Sequence, residues 1–108
     1  FALRVVNVSD RRLEVNFPDG QTREFTVYDA AGRPVWRWSD GRLFTQVMQN
    51  KLLHAGDTAT YASAWERPAP GRYRVVAVLR SENHPVRLEA PFVVAPRAVA
   101  LAPALRTG

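Results

Sequence analysis

LEVNFPDGQTREFTVYD, residues 13–29, is the stretch that decides the fold. Leu13, Val15 and Phe17 alternate with Glu14 and Asn16, so an extended segment here has one apolar and one polar face. That is the period-two signature of a half-buried strand. Pro18-Asp19-Gly20 ends it with turn-forming residues. Phe25 and Val27 then resume the alternation until Asp29-Ala30-Ala31-Gly32 and Pro34 interrupt it.

The same period runs outward from this stretch. Tyr61 and Trp65 are in phase, as are Tyr73, Val75, Ala77 and Leu79, and later Leu88, Ala90, Phe92 and Val94. Pro91 has no N–H to give to a ladder, which places the last segment at a sheet edge or a bulge. Strands are expected near residues 3–8, 12–17, 23–29, 34–38, 57–65, 72–80 and 86–94. Short strands at this spacing predict an all-β fold, an immunoglobulin-like antiparallel β-sandwich of about seven strands. Residues 45–54 fit an extra strand or one helical turn. No segment has a helical apolar period and no internal repeat is present. The expected organisation is one domain over residues 1–95 and an Ala/Pro-rich tail or linker over 96–108. Alternating strand direction should gather loops 18–22, 39–56 and 81–85 at one end, and loops 9–11, 29–33 and 66–71 at the other.

The bulk properties narrow the function. A chain of 108 residues suits one domain with one core. No apolar run approaches the ~18 residues that span a bilayer, and no charged-then-apolar leader opens the chain. The chain opens on Phe1 rather than Met, from which a trimmed start is expected. Cysteine is absent, which excludes disulfides, thiolate metal sites and a cysteine nucleophile. The net charge of +5 favours acidic partners in general. The basic residues are nearly all arginine and are scattered rather than blocked.

Chemistry-bearing patterns are sparse. The two histidines, His54 and His84, have no closely spaced ligand-type companions, so no metal site is expected. Ser39, His84 and an acid can be combined on paper, but no nucleophile-elbow pattern supports them. No phosphate-cradling glycine loop is present. Arg72, Arg74 and Arg80 share one strand face, the kind of basic stripe that can track a nucleic-acid backbone. Val76 and Val78 share that face too, so arginine stems lying over sheet surface are the expected arrangement. Trp36 and Trp38 lie two apart and share a face, with Val35 and Arg37 opposite. At least one of the two indoles is expected in the core. An exposed aromatic anchor at an interface is the alternative.

Several runs together resemble the BsuPI-type intracellular proteinase inhibitors. They are FPDGQTREFTVYD, the Val35-Trp36-Arg37-Trp38-Ser39 run to Phe44-Thr45-Gln46, Gly56-Asp57 before Tyr61 and Trp65, and Pro70-Gly71-Arg72-Tyr73. The resemblance covers most of the chain and stops before the tail. It implies an immunoglobulin-like sandwich that binds and inhibits a serine protease of the subtilisin type, with no catalysis and no cofactor. The family's name implies a cytoplasmic location, while the trimmed-looking start leaves an extracytoplasmic one open. A monomer is expected, with neither a nucleic-acid partner nor a membrane span.

Loop position and residue type then single out Asp40, Gly41, Arg42, Leu43 and Phe44 as the expected protease contact. Asp40 suits a bond to backbone two residues on, and Gly41 allows a positive φ. Trp38 and Phe44 would anchor the loop's ends. Leu43 or Phe44 would fill an apolar specificity pocket, and Arg42 would add a charged contact. The rival loops are 66–70, stiffened by two prolines, and 81–85. Two further readings compete with inhibition. A structural or interaction module of a larger envelope or secreted protein predicts neighbouring domains and no inhibition. A basic nucleic-acid binder predicts salt-sensitive binding to DNA or RNA.

Overall fold

A computed structural model describes residues 1–96; the expected tail, beyond its first residue Pro96, lies outside the described residues. Eight strands follow one another: β1 (Ala2–Val6), β2 (Leu13–Phe17), β3 (Arg23–Asp29), β4 (Pro34–Arg37), β5 (Gln49–Leu53), β6 (Thr58–Ala62), β7 (Gly71–Leu79) and β8 (Val86–Val94). The described residues contain no helix, and every ladder is antiparallel. One sheet has the order β4-β3-β7-β8, and two two-stranded ladders, β1-β6 and β2-β5, complete the fold.

The alternation is realised in β2, whereas in β3 Thr26 is buried along with Phe25 and Val27. Val15 and Phe17 from β2 meet Phe25 from β3 across the core, with Leu3, Leu53, Ala59 and Leu79. Each of the larger of these side chains contributes about 1.5–3 kcal/mol by leaving water. The ladders are so joined into a sandwich by their inward faces. β2 and β3 belong to different sheets, so the Pro18-Asp19-Gly20 turn carries the chain from one layer to the other.

Within residues 45–54, Gln49–Leu53 form β5, an eighth strand, and this corrects the expected loop clustering. Antiparallel pairing sets Phe17 opposite Gln49 and Leu13 opposite Leu53. β5 therefore carries the chain back across the sandwich, and β6 starts from the opposite end to the one expected. The 39–56 connection is split. Residues 39–48 stay beside the 18–22 turn, where the Gly20 N–H donates to the Thr45 carbonyl at 2.8 Å. Residues 54–57 join the end of β1, where the Gly56 N–H donates to the Asn7 carbonyl at 2.8 Å. The segment after β6 then begins on the 39–42 side and crosses back to the start of β7 at Gly71.

Asn7 fastens the two short ladders together. Its buried side chain, 2% exposed, donates to the carbonyls of Arg11 (2.7 Å) and Leu53 (2.9 Å). Its carbonyl oxygen accepts from the Ser9 backbone at 3.0 Å and hydroxyl at 2.7 Å. At the other end, Asn83 caps the open edge of β2. It accepts from the Asn16 N–H at 2.9 Å and donates to the Glu14 carbonyl at 2.8 Å. Pro91 sits on β8, the outer strand of its sheet, as a missing donor requires. The inward phase of β8 is only partly covered. Phe92 stacks on Tyr73 with centroids 5.5 Å apart, whereas Leu88 overhangs the sandwich and is 57% exposed.

Candidate functional site

The loop between β4 and β5 is built around Trp38. The pair Trp36 and Trp38 splits in burial. Trp38 is buried, and Trp36 is half-buried at the core's margin, where it stacks on Trp65 at 6.2 Å. The Trp38 N–H donates to the Phe25 carbonyl at 2.9 Å, which holds the start of the loop to β3. Two guanidinium groups stack on its ring, Arg23 at 4.3 Å and Arg42 at 4.7 Å from the centroid. Phe44 packs against the same indole at 5.5 Å. Residues before and after the turn thus share one aromatic anchor.

Hydrogen bonds fix the turn itself. Arg42 Nε donates to the Trp38 carbonyl at 2.9 Å. The Arg42 N–H donates to Ser39 and the Asp40 N–H to Arg37, at 3.1 and 3.2 Å. Gly41 has φ of 76°, a left-handed value that disfavours any side chain with a Cβ. The expected bond from the Asp40 carboxylate to the backbone two residues on is not made. The Ser39 carbonyl accepts the Arg42 N–H instead, leaving the Asp40 side chain exposed.

Past the turn, Leu43 projects with 98% of its surface exposed. Phe44 beside it is half-buried against the core. Thr45 is then tied to Gly20. A Cβ on Gly20 would lie 2.5 Å from Thr45 Oγ1 and 3.0 Å from its backbone nitrogen, so only glycine permits the approach. Residues 42–46 have no ladder partner and no turn of their own. The result is a short irregular segment held at both ends with one apolar side chain, Leu43, in solvent. Of the five expected contact residues, Asp40, Gly41, Arg42 and Leu43 are exposed, and Phe44 is the inner anchor.

Arg23 is the residue that sequence reading missed, although it shares the phase of Phe25 and Val27. Its Nε and Nη2 donate to the Ala62 carbonyl at 3.1 and 2.8 Å, linking β3 to the end of β6. Burial lowers its pKa, the nearby Arg42 charge lowers it further, and Tyr61 opposes both. Burial likewise pushes the Tyr61 hydroxyl above its ordinary 10.0, against the pull of Arg23. Neither Arg23 nor Arg42 has a carboxylate within ion-pair distance among the described residues.

All three tryptophans line one groove beside this loop, together with Arg37, Arg42 and Glu66. The groove brings the start of the 66–70 loop next to the 39–44 loop. The other rival, 81–85, is occupied by its own bonding: Ser81 Oγ and the Glu82 N–H both donate to the Asn16 carbonyl. His54 and His84 lie in separate turns, and no three metal-type side chains cluster among the described residues. The basic stripe is broken by acids, since Arg74 faces Glu89 at 3.9 Å and Arg80 faces Asp19 at 4.0 Å. Arg74 also lies over the Tyr28 ring at 5.0 Å. No helix of the described residues is long and apolar enough to cross a membrane.

The described residues thus form an all-β sandwich with a braced loop between β4 and β5. The sequence profile of the BsuPI family, described as intracellular proteinase inhibitor, matches residues 1–84, and the chain belongs to that family. The match contains β1 to β7 and the whole 39–48 loop. No curated protein matches the chain.

Proposed function

We propose that this domain inhibits a subtilisin-like serine protease by presenting the 39–44 loop to the enzyme's active-site cleft, and that it carries out no catalysis itself. The observation that carries this reading is Leu43. It is 98% exposed between Arg42 and Phe44, both of which pack on Trp38. A side chain so displayed suits an apolar specificity pocket. The bracing of Trp38, Arg42 and Phe44 removes much of the ordering cost that a flexible substrate meets on binding. The chain has no cysteine, so packing and hydrogen bonds take the bracing role that a disulfide could otherwise fill.

The test is Leu43→Asp in the purified domain, with inhibition constants measured against a panel of serine proteases. A charge at that position desolvates poorly in an apolar pocket, so inhibition of a subtilisin should fall at least about a hundredfold. The melting temperature should not change, because Leu43 contacts so little. Undiminished inhibition by the folded variant would remove the loop from the interface.

A further inference from the structure

The loop does not end its apolar display at Leu43. Thr45 is pinned to Gly20 through its carbonyl, and its hydroxyl accepts from Gln49 Nε2 at 3.3 Å. Between those two fastened residues the chain bulges outward over Gln46, Val47 and Met48, all exposed. Val47 is 69% and Met48 62% exposed. The connection therefore makes two projections on either side of one tether, each ending in bare apolar side chains. Leu43 and Met48 are five residues apart, which limits their separation to about 17 Å even in a fully extended chain. That distance fits within the footprint of one protein partner.

We infer that Val47 and Met48 form a second contact on the same protease that receives Leu43, docking on the apolar rim of the enzyme's cleft. This inference rests on the proposed inhibitory reading of the loop. The tether supports it, because fastening at Gly20 fixes the second projection relative to the first. Two projections sharing one tether present both contacts at a smaller ordering cost than two independent segments would. The residue types support it as well. A methionine side chain is unbranched and polarisable, and adapts to irregular apolar surfaces. Leu43, Val47 and Met48 are three exposed apolar side chains within six residues of one connection, so a partner that reaches one is close to the others. Leu43 would supply depth in the specificity pocket, and Val47–Met48 would discriminate among enzymes by the shape of their rims.

Two measurements test this together. The first compares inhibition constants of the unmodified domain, Val47→Ser/Met48→Gln and Leu43→Asp against a subtilisin. The double variant should keep its melting temperature and weaken inhibition about tenfold or more, chiefly through faster dissociation. The second uses Met48, the only methionine in the chain. Hydrogen peroxide transfers one oxygen to the thioether, giving the sulfoxide and water. Sulfoxide formation, followed by mass spectrometry, should slow severalfold when an active-site serine-to-alanine subtilisin is added. Unchanged inhibition by the double variant, with Met48 oxidised at the same rate in both mixtures, would overturn the second contact. A loss with Leu43→Asp in that same experiment would leave the inhibitory reading standing. Absence of inhibition by the unmodified domain across a protease panel would overturn both.

Discussion

Gly20→Ala tests the tether on which the loop's shape depends. The new Cβ would lie 2.5 Å from Thr45 Oγ1, 3.0 Å from its nitrogen and 3.2 Å from its carbonyl oxygen. The hydroxyl can rotate away, at the expense of its contact with Gln49. The backbone atoms cannot, so the 18–22 turn and the 39–48 loop must separate. Separation stretches the 2.8 Å bond from the Gly20 N–H to the Thr45 carbonyl. Losing that bond costs about 1 kcal/mol net, and forcing a methyl group into a tight contact adds roughly 1–3 kcal/mol. Alanine also restricts the unfolded chain, which returns about 0.4–1 kcal/mol. Gly20 is not among the glycines with positive φ, so no left-handed backbone penalty enters.

The steric loss outweighs the entropic gain, leaving a net destabilisation of roughly 1–3 kcal/mol. For a domain of this size that lowers the melting temperature by roughly 5–20 °C. Thermal unfolding followed by circular dichroism reads this directly. A companion Thr45→Ala removes the nearest of the three contacts, so the double variant should recover part, but not all, of the loss. Because the displaced loop carries Leu43, the inhibition constant should rise in step. A Gly20→Ala domain that melts at or above the parent temperature would show that the two loops do not touch as described.

Asn7→Ala should cost roughly 2–4 kcal/mol in urea unfolding, because it strips the donor from the Arg11 and Leu53 carbonyls at a site that water scarcely reaches. Asn7→Asp should be no better at neutral pH, since a carboxylate cannot donate to those oxygens. Tyr61 gives a pH prediction. Its folded pKa lies above its ordinary 10.0, so the neutral hydroxyl stabilises the fold fully below that pH. That stabilisation is lost as pH rises through the folded value, because the unfolded chain ionises first. Denaturation curves from pH 9 upward should show a steeper alkaline decline in the parent than in Tyr61→Phe. Trp38→Ala should cost about 3–5 kcal/mol by emptying the core beneath two arginines, whereas Trp38→Phe should lose only part of that. Equilibrium unfolding of the two variants checks the difference.

Much of the architecture was legible because its cause is local. Period-two alternation at residues 13–17 and 23–29 identifies strands whatever they pair with, and Pro91 marks an edge from its own chemistry. The positive φ at Gly41 was likewise readable from a short polar turn. What the sequence left open depends on pairing partners. β5 reads QNKLL, with only Leu53 buried, so an edge strand this polar carries almost no period of its own. It exists because β2 offers it a ladder. Left open between a strand and a helical turn, it inverted the expected polarity of β6. Arg23 was passed over for a related reason. A charged residue in an inward phase looks like a mismatch until the indole of Trp38 and the Ala62 carbonyl are placed beside it.

The candidate site divides along the same line. Leu43, Arg42 and Gly41 could be singled out because loop position and residue type suffice to nominate a displayed side chain. The device that holds them could not, because its parts come from four places: Gly20 from the turn after β2, Arg23 from the start of β3, Trp38 after β4 and Gln49 from β5. Each attachment alone is worth about 1 kcal/mol or a little more, too little to freeze a ten-residue loop. Acting on a single segment they restrain the same motion. Breaking one therefore loosens the loop by degrees instead of releasing it. A disulfide brace behaves differently, since its reduction removes the whole constraint at once. A loop held by distributed contacts keeps its shape in a reducing compartment, where a cystine would not persist. That property agrees with the intracellular description of the family to which the chain belongs.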